Sequence, residues 1–143
     1  MRFVVDLTLP THARLISQTR RTVSGYLEQM GIATEVVDDV VLALDEACTN
    51  VMRHAFAGDT ELFHLTAELD ADEIVVVVED EGVGLPVAKM NQPLGASEPT
   101  ATSGRGLQMI RSLMTDVALE TAPLRQGTRL EMRRSIAPTA PLD

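Results

Sequence analysis

The pattern of hydrophobic and polar residues in the first part of the chain predicts one strand followed by two helices. Residues 2–9 alternate as in a strand, and Pro10 separates them from a helical stretch over about residues 11–30. Gly31 is predicted to end that helix. A second helix, capped by Thr34, is predicted over about residues 34–55. One stripe of apolar residues recurs there at helical spacing: Val37, Val40, Val41, Leu44, Cys48 and Val51.

The second half of the pattern predicts a sheet and a third helix. Residues 62–69 and the continuous apolar run 74–78 are typical of two paired strands, with the second strand buried at the centre of the sheet. Residues 85–103 contain three Pro and little periodicity, which predicts a long mobile segment with a functional role. The remaining predicted elements are a helix from Gly106 onward and strands at about 118–121 and 128–134.

Length and composition favour one domain with an aliphatic core. A chain of 143 residues is expected to bury about 70% of the surface that its unfolded form exposes. We predict a single domain over residues 1–136 and a frayed tail at 137–143. Aromatic residues make up only 3% of the chain and Trp is absent, so Val, Leu, Ile, Ala and Met must fill the core. This composition suits a sheet covered by helices.

Charge and cysteine content exclude several classes of function. The net charge of −9 disfavours binding to nucleic acid. Of the 21 Asp and Glu, 14 lie within residues 35–81, where Arg53 is the only Lys or Arg, so a polyphosphate bound there needs a metal ion and backbone amides. The single Cys48 cannot form an internal disulfide. Without a leader or an apolar run of about 18 residues, we expect a soluble cytoplasmic protein that does not enter the membrane.

Glu46 and Asn50 are the first candidate functional residues. They are four residues apart on the second predicted helix, and therefore share one face, which lies opposite the apolar stripe. An isolated Glu/Asn pair is most often a solvated polar face. In the functional interpretation, Asn50 offers an oxygen ligand to Mg²⁺, and Glu46 orients or deprotonates an attacking hydroxyl. The role of His54, four residues further on, stays open.

Two glycine-containing segments complete the set of candidates. Asp80 follows the buried strand and precedes Gly82 and Gly84, which lets the backbone approach a ligand while Asp80 accepts a hydrogen bond from a base amine. Taken alone, this segment is an acidic turn, and it lacks the spacing of a calcium loop. The segment 103–107, Ser-Gly-Arg-Gly-Leu, opens the third helix and suits a phosphate at a helix N-terminus. It does not match a P-loop, and its alternative interpretation is a hinge and helix cap.

The order of these segments resembles that of the GHKL ATPases. A helix with Glu and Asn is followed by a strand ending in Asp-x-Gly-x-Gly, a predicted mobile stretch, Gly-x-Gly-Leu on a helix, and Gly-Thr before the last strand. The sequences of residues 46–50, Glu-Ala-Cys-Thr-Asn, and of residues 104–107, Gly-Arg-Gly-Leu, are most similar to those of the anti-sigma-factor serine/threonine kinases. The similarity spans roughly residues 7–133.

This resemblance implies a fold, a cofactor and residue roles. The fold is an α/β (α+β) two-layer sandwich of the Bergerat type, with helices on one face of a mixed, mostly antiparallel sheet. ATP with Mg²⁺ is held between the helices and a flexible lid. By similarity, Asn50 coordinates Mg²⁺, Glu46 is the catalytic base, and Asp80 binds the adenine amine with support from Thr128. The glycine motifs surround the nucleotide: Gly82 and Gly84 at the base, and Gly104, Gly106 and Leu107 at the phosphates. We add Arg105 as a phosphate contact, because it is the cation within that motif.

The resemblance also implies partners. Members of the family are commonly homodimers that hold a sigma factor inactive and phosphorylate a Ser or Thr of an antagonist protein. Three other hypotheses stay open: a nonenzymatic ATP-dependent switch that regulates a phosphatase or another signalling protein, an ATPase fragment of a histidine kinase, and an interaction domain without a ligand. Phosphate transfer to a partner protein would distinguish the kinase from the nonenzymatic switch. A thermal melt that Mg-ATP does not shift would favour the interaction domain without a ligand.

Overall fold

The computed structural model describes residues 2–10, 12–58, 62–80, 102–122 and 127–136. Most of the segment predicted at 85–103, the turn around Pro123 and the tail at 137–143 lie outside these residues. The helices are α1 (Ala13–Gln29), α2 (Thr34–Gly58) and α3 (Thr102–Leu113). The strands are β1 (Arg2–Pro10), β2 (Leu62–Leu69), β3 (Glu73–Asp80), β4 (Asp116–Ala122) and β5 (Gly127–Ser135).

The five strands form one sheet in the order β1-β2-β3-β5-β4. Strand β3 occupies the middle position, as its continuous apolar run predicts. The turn at residues 70–72 joins β2 to β3, and the Asp70 amide donates a hydrogen bond to the Glu73 carbonyl at 2.8 Å. All four pairings between the described strands are antiparallel, so the expectation of a mixed sheet is corrected on this point. The β2–β3 and β4–β5 pairs join strands that are consecutive in sequence with short connections between them, whereas the β1–β2 and β3–β5 pairs depend on long connections.

Helices cover one face of this sheet, which confirms the predicted two-layer α+β class. Helix α2 packs against β3 and β5, α1 against β1, and α3 against β4. In β2 the side chains of Phe63, Leu65 and Ala67 are buried, while the residues between them are partly exposed. This period of two places one face of each strand under the helices. The core therefore lies between the helices and that face; its largest fully buried members include Phe63, Leu27, Leu44, Leu65, Ile74 and Ile110.

Helix α1 is capped at both ends. At its start the His12 ring nitrogen Nδ1 accepts a hydrogen bond from the Arg14 amide at 3.1 Å, which satisfies one of the free donors of the first turn. At its end Gly31 adopts a φ of 80°, and the Ile32 amide bonds to the Leu27 carbonyl at 3.1 Å. This is a Schellman motif, and a left-handed residue is what it requires. The predicted helix end at Gly31 is confirmed.

Helix α3 begins four residues before the predicted position. The expectation was a glycine-containing segment that ends where a helix starts at Gly106, but Gly104 and Gly106 both lie within α3 (Thr102–Leu113). Glycine disfavours helices by about 1 kcal/mol relative to Ala, yet packing overrides this local preference. Leu107 and Ile110 are buried in the core and hold the helix in place. The free amides of the helix start therefore belong to residues ahead of Gly106.

Across the described ranges, none of the helices combines the length and hydropathy that crossing a bilayer requires.

Candidate functional site

Glu46, Asn50 and Gly106 meet where α2 and α3 pack together. A Cβ atom placed on Gly106 would lie 3.1 Å from Oε2 of Glu46, 3.2 Å from Nδ2 of Asn50 and 3.3 Å from its Oδ1. The two helices approach this closely because residue 106 has no side chain. Two of the predicted sites, the Glu/Asn pair and the second glycine segment, are thus brought together although they lie far apart in sequence.

Asn50 is buried, which corrects the expectation that it lies on a free polar face. Its side chain is 7% exposed, and its Oδ1 atom makes no hydrogen bond with any residue that the structure describes. The physical reason is that α2 packs against α1, α3 and the sheet, and α3 covers the part of its surface that carries Asn50. Ala43, Ala47 and Asn50 recur at helical spacing and are all buried, so a second stripe of small residues accompanies the apolar one.

An unsatisfied buried carbonyl oxygen indicates a functional constraint. Leaving such an atom without a partner costs about 1–3 kcal/mol, and native proteins contain few of them. A carbonyl oxygen beside a carboxylate suits a hard cation such as Mg²⁺, which binds one or two protein oxygens together with substrate phosphates and water. In the described part of the chain, no group of three or more His, Cys, Asp or Glu offers a fuller metal cage. The chemistry of Asn50 and Glu46 therefore fits a metal that arrives with a phosphate ligand.

Asp80 and Thr128 lie opposite each other at the ends of adjacent strands. They are direct partners in the β3–β5 register, and their exposed fractions are 7% and 9%. The alternation along β3 places Asp80 on the same side as Ile74, Val76 and Val78, which is the side covered by the helices. Each of the two residues has an interaction partner within the protein. Their proximity is what a shared contact with an adenine requires, and that role stays a prediction.

The remaining predicted site residues lie in α3, in α2 or outside the described residues. Leu107 is a buried core residue of α3, with 5% exposure. Gly104 and Arg105 belong to the first turn of the same helix, where the structure describes the backbone. His54 lies in α2 one turn beyond Asn50. Gly82 and Gly84 lie outside the described residues.

Sequence reasoning did not connect α1 with this site. Arg20 of α1 donates a hydrogen bond to Asp45 at 3.4 Å, which places a cation next to the residue that precedes Glu46. A contact between positions 25 residues apart on two helices has no local signal in the sequence. Burial, and secondarily the charge of Asp45, raise the pKa of the Cys48 thiol from 9.0 to about 12. Cys48 is therefore an inert core residue at neutral pH.

The other face of the sheet carries charged residues that satisfy one another. Arg129 pairs with Glu120 at 3.2 Å and with Glu131 at 3.4 Å, and Arg133 pairs with Glu73 and Glu131. A shallow groove lies on this face. It is separated from Glu46 and Asn50 by the thickness of the sheet, so we do not assign it to the nucleotide.

Comparison with known proteins agrees with the resemblance found in the motif order. Residues 9–134 match the family described as histidine kinase-like ATPase domain. The serine-protein kinase RsbW of a Bacillus cereus strain is 28% identical over 121 residues, which are 80% of this chain and 76% of that protein. The protein of the same name from Bacillus thuringiensis subsp. konkukian matches with the same values.

Solved structures show the same fold. The SiaB–SiaC complex of Pseudomonas aeruginosa matches with a TM-score of 0.68 and 15% identity over 94% of this chain and 90% of that one. The RsbU and RsbW domains of a Mycobacterium tuberculosis protein match with a TM-score of 0.66 and 18% identity over 97% of this chain. This chain spans 34% of the length of that M. tuberculosis chain.

Proposed function

Because this chain belongs to the histidine kinase-like ATPase family, we propose that it binds ATP with Mg²⁺ between α2 and α3 and transfers the γ-phosphate to a protein. The acceptor is a Ser or Thr of an antagonist protein, and the regulated partner is a sigma factor that the ATP-bound homodimer holds inactive. The relatives named serine-protein kinase RsbW support this proposal. The observation that carries it is the buried Oδ1 of Asn50, which has no hydrogen-bond partner in the described part of the chain and lies beside the carboxylate of Glu46.

Asn50 and Glu46 would have different roles in phosphoryl transfer. Asn50 would hold Mg²⁺ through Oδ1, and the bound ion would neutralise phosphate charge. Glu46 would orient the acceptor hydroxyl and take its proton at Oε2 as the new oxygen–phosphorus bond forms and ADP leaves. Oε2 of Glu46 and Oδ1 of Asn50 lie 3.1 and 3.3 Å from the position that a Cβ atom on Gly106 would take, so the two oxygens lie near each other. Asp80, with Thr128 opposite, would bind the adenine amine from the ends of β3 and β5.

The charge of the chain makes the metal necessary for tight binding. The protein carries a net charge of −9, and Asp45 adjoins Glu46, so a nucleotide polyphosphate without a cation is repelled at this site. Backbone amides alone do not supply a compensating positive charge. We therefore expect ATP with Mg²⁺ to bind and ATP with a chelator to bind far more weakly.

A thermal melt tests nucleotide binding. A ligand at a hundredfold its dissociation constant stabilises the folded protein by about 2.7 kcal/mol, which is about 10 °C for a domain of this size. Mg-ATP should give this shift, while Mg²⁺ alone, ATP with EDTA, and Mg-ATP added to Asp80→Asn should not. Asp38→Asn, which removes an exposed carboxylate on α2, is the matched control and should retain the shift. If Mg-ATP leaves the melting temperature unchanged, the chain does not act through ATP.

Phosphate transfer tests the kinase activity separately. The protein is incubated with γ-labelled ATP and soluble extract of its own cell, and labelled proteins are identified by mass spectrometry. Glu46→Gln should abolish labelling of the partner while retaining the thermal shift, whereas Glu35→Gln, an exposed acid in the first turn of α2, should retain both. Nucleotide binding without any labelled Ser or Thr would instead favour the nonenzymatic switch.

A further inference from the structure

Two exposed apolar side chains lie on the helices that form the proposed site. Among the residues that the structure describes, the large apolar side chains with high exposure are Tyr26, Leu42, Leu62 and Met109. Leu42 belongs to α2 and is 49% exposed, and Met109 belongs to α3 and is 44% exposed. One such side chain on its own needs no explanation, whereas two that lie together beside a reactive group indicate a contact surface.

The direction of α3 relative to α2 follows from contacts at its two ends. Near its start, Gly106 lies against the side chain of Asn50. Two residues after its end, the Thr115 amide donates a hydrogen bond at 2.7 Å to the β5 carbonyl that precedes Arg134. Arg134 in turn forms an ion pair at 2.9 Å with Asp39, near the beginning of α2. Helix α3 therefore runs antiparallel to α2, with its end beside the beginning of α2.

Leu42 lies on the solvent side of α2, next to the contact with α3. Successive residues of a helix are separated by about 100° around its axis. Asn50 faces α3, and the buried Leu44 lies about 120° from it in the direction of the core. Leu42 lies about 80° from Asn50 in the opposite direction. Glu46 lies between Asn50 and Leu42, about 40° from each, and is partly exposed.

Met109 lies on the same side of the junction between the two helices. On α3, Gly106 faces α2, and Leu107 is buried in the core about 100° away from it. Met109 lies about 60° from Gly106 in the opposite direction, which is the solvent side. Leu42 precedes Glu46 by one helical turn, or about 6 Å along the axis of α2. Because α3 is antiparallel to α2, Met109 is displaced from Gly106 in the same direction, so both apolar side chains lie about one turn from Glu46.

This position determines what the two side chains meet during phosphate transfer. An acceptor hydroxyl must reach Glu46 from the solvent side, because the opposite side of α2 is buried against the sheet. The chain that carries the hydroxyl therefore passes over the surface one turn away, where Leu42 and Met109 are exposed. Burial of these side chains against an apolar group of the acceptor would favour binding in proportion to the area removed from water.

We propose that Leu42 and Met109 form a docking surface that selects an acceptor protein with an apolar side chain beside its Ser or Thr. This inference rests on the proposed function and names a feature of its substrate. In an extended segment two residues span about 6.6 Å and point to the same side, which matches the distance of one helical turn. We therefore expect the apolar residue two positions from the phosphorylated Ser or Thr.

The kinetics of phosphate transfer test the docking surface. The acceptor is the protein that becomes labelled in the transfer experiment, purified and titrated against the kinase at saturating Mg-ATP. Leu42→Gln and Met109→Gln keep good helix formers at exposed positions, so the fold is retained. Each should raise KM for the acceptor about fivefold with kcat unchanged, since half of an apolar side chain is lost from the contact. Leu62→Gln, the same change at a Leu of β2 that is 45% exposed, is the matched control and should leave KM unchanged.

The outcomes separate the docking surface from the proposed function. If the parent protein labels an acceptor and Leu42→Gln and Met109→Gln have the parent KM, the docking surface is wrong while the kinase activity stands. An equal rise in KM for Leu62→Gln, or a loss of the Mg-ATP thermal shift in Leu42→Gln, would also contradict it. A parent protein that labels no acceptor would overturn both proposals.

Photocrosslinking locates the contact independently of the kinetics. The photoreactive residue p-benzoylphenylalanine is placed at position 42 in one protein and at position 62 in another, each mixed with the purified acceptor and a non-hydrolysable Mg-ATP analogue. Position 42 should crosslink to the acceptor segment that contains the phosphorylated Ser or Thr, and position 62 should not. Crosslinks from position 42 to a distant part of the acceptor, or none at all, would refute the docking surface.

Discussion

Replacing Gly106 by Ala tests the packing between α2 and α3 most directly, because Gly25 supplies a matched control. Both glycines lie within helices, so Ala in either place gains up to about 1 kcal/mol of helix propensity. At Gly25 the new methyl group meets no atom within 4 Å other than those of the adjacent residues and the backbone of its own helix, and the gain should appear as added stability. At Gly106 the methyl group meets Glu46 and Asn50 at 3.1–3.3 Å.

The cost at Gly106 follows from which neighbours can move. Glu46 is partly exposed and can shift by a few tenths of an ångström, whereas Asn50 is buried and cannot do so without strain. Crowding in a packed site typically costs about 1–3 kcal/mol. We therefore expect Gly106→Ala to be less stable than Gly25→Ala by about 1–3 kcal/mol.

Urea unfolding of the two variants, without nucleotide, measures this difference. Gly106→Ala is also made in an Asn50→Ala background, where two of the three close contacts are removed. There the substitution should recover most of the stabilisation seen for Gly25→Ala, which gives a coupling of about 1–2 kcal/mol between positions 50 and 106. If Gly106→Ala stabilises the protein as much as Gly25→Ala does, the two helices are not in close contact at this position and the reasoning fails.

Three further predictions concern stability. Gly31→Ala should destabilise the protein by about 1–2 kcal/mol in urea unfolding, because its φ of 80° is left-handed, and a neutral effect would contradict the role of the Schellman motif. Ile110→Ala, at a position with 0% exposure, should cost about 2–5 kcal/mol, whereas a loss below about 1 kcal/mol would mean that α3 is not anchored there. Burial raises the pKa of the folded Cys48 thiol from 9.0 to about 12, so above pH 9 the folded thiol keeps its proton while the unfolded thiol loses it. The free energy of unfolding should therefore fall by about 1.4 kcal/mol per pH unit from pH 9 upward. Cys48→Ala should lack this component, and equal pH slopes for both proteins between about pH 9 and 11 would refute it.

The local sequence pattern was sufficient to predict an element where its boundaries and burial depend on residues within that element. The bounds of β2 (Leu62–Leu69) agree with the prediction, since turn residues border an alternating run on both sides. The end of α1 at Gly31 agrees as well, because a left-handed glycine is a local requirement. The central place of β3 followed from its apolar residues on both faces.

Contacts between distant segments set the remaining features. The predicted start of α3 at Gly106 was wrong because two glycines usually interrupt a helix, and only packing in the core outweighs that tendency. The predicted exposure of Asn50 was wrong because a single apolar stripe already accounted for the packing of α2 against the sheet. The additional contact with α3 cannot be read from the sequence of α2 alone. Strand order and the wholly antiparallel pairing depend likewise on contacts that no local window contains.

The departures from local rules are concentrated at one place, and this concentration is itself an argument for function. His12 and Gly31 cap α1, β2 alternates between buried and partly exposed residues, and Arg129 and Arg133 on the open face of the sheet are paired with carboxylates. At the junction of α2 and α3, by contrast, two glycines lie among the first five residues of α3, and Asn50 keeps a buried oxygen without a partner among the described residues. Each feature lowers the stability of the free protein by about 1 kcal/mol or more. A metal ion that arrives with phosphate oxygens would give Oδ1 of Asn50 a partner, and the free amides at the start of α3 suit those phosphate oxygens. Proteins retain such local conflicts mainly at sites of function, so the junction of α2 and α3 is where we expect the nucleotide to act.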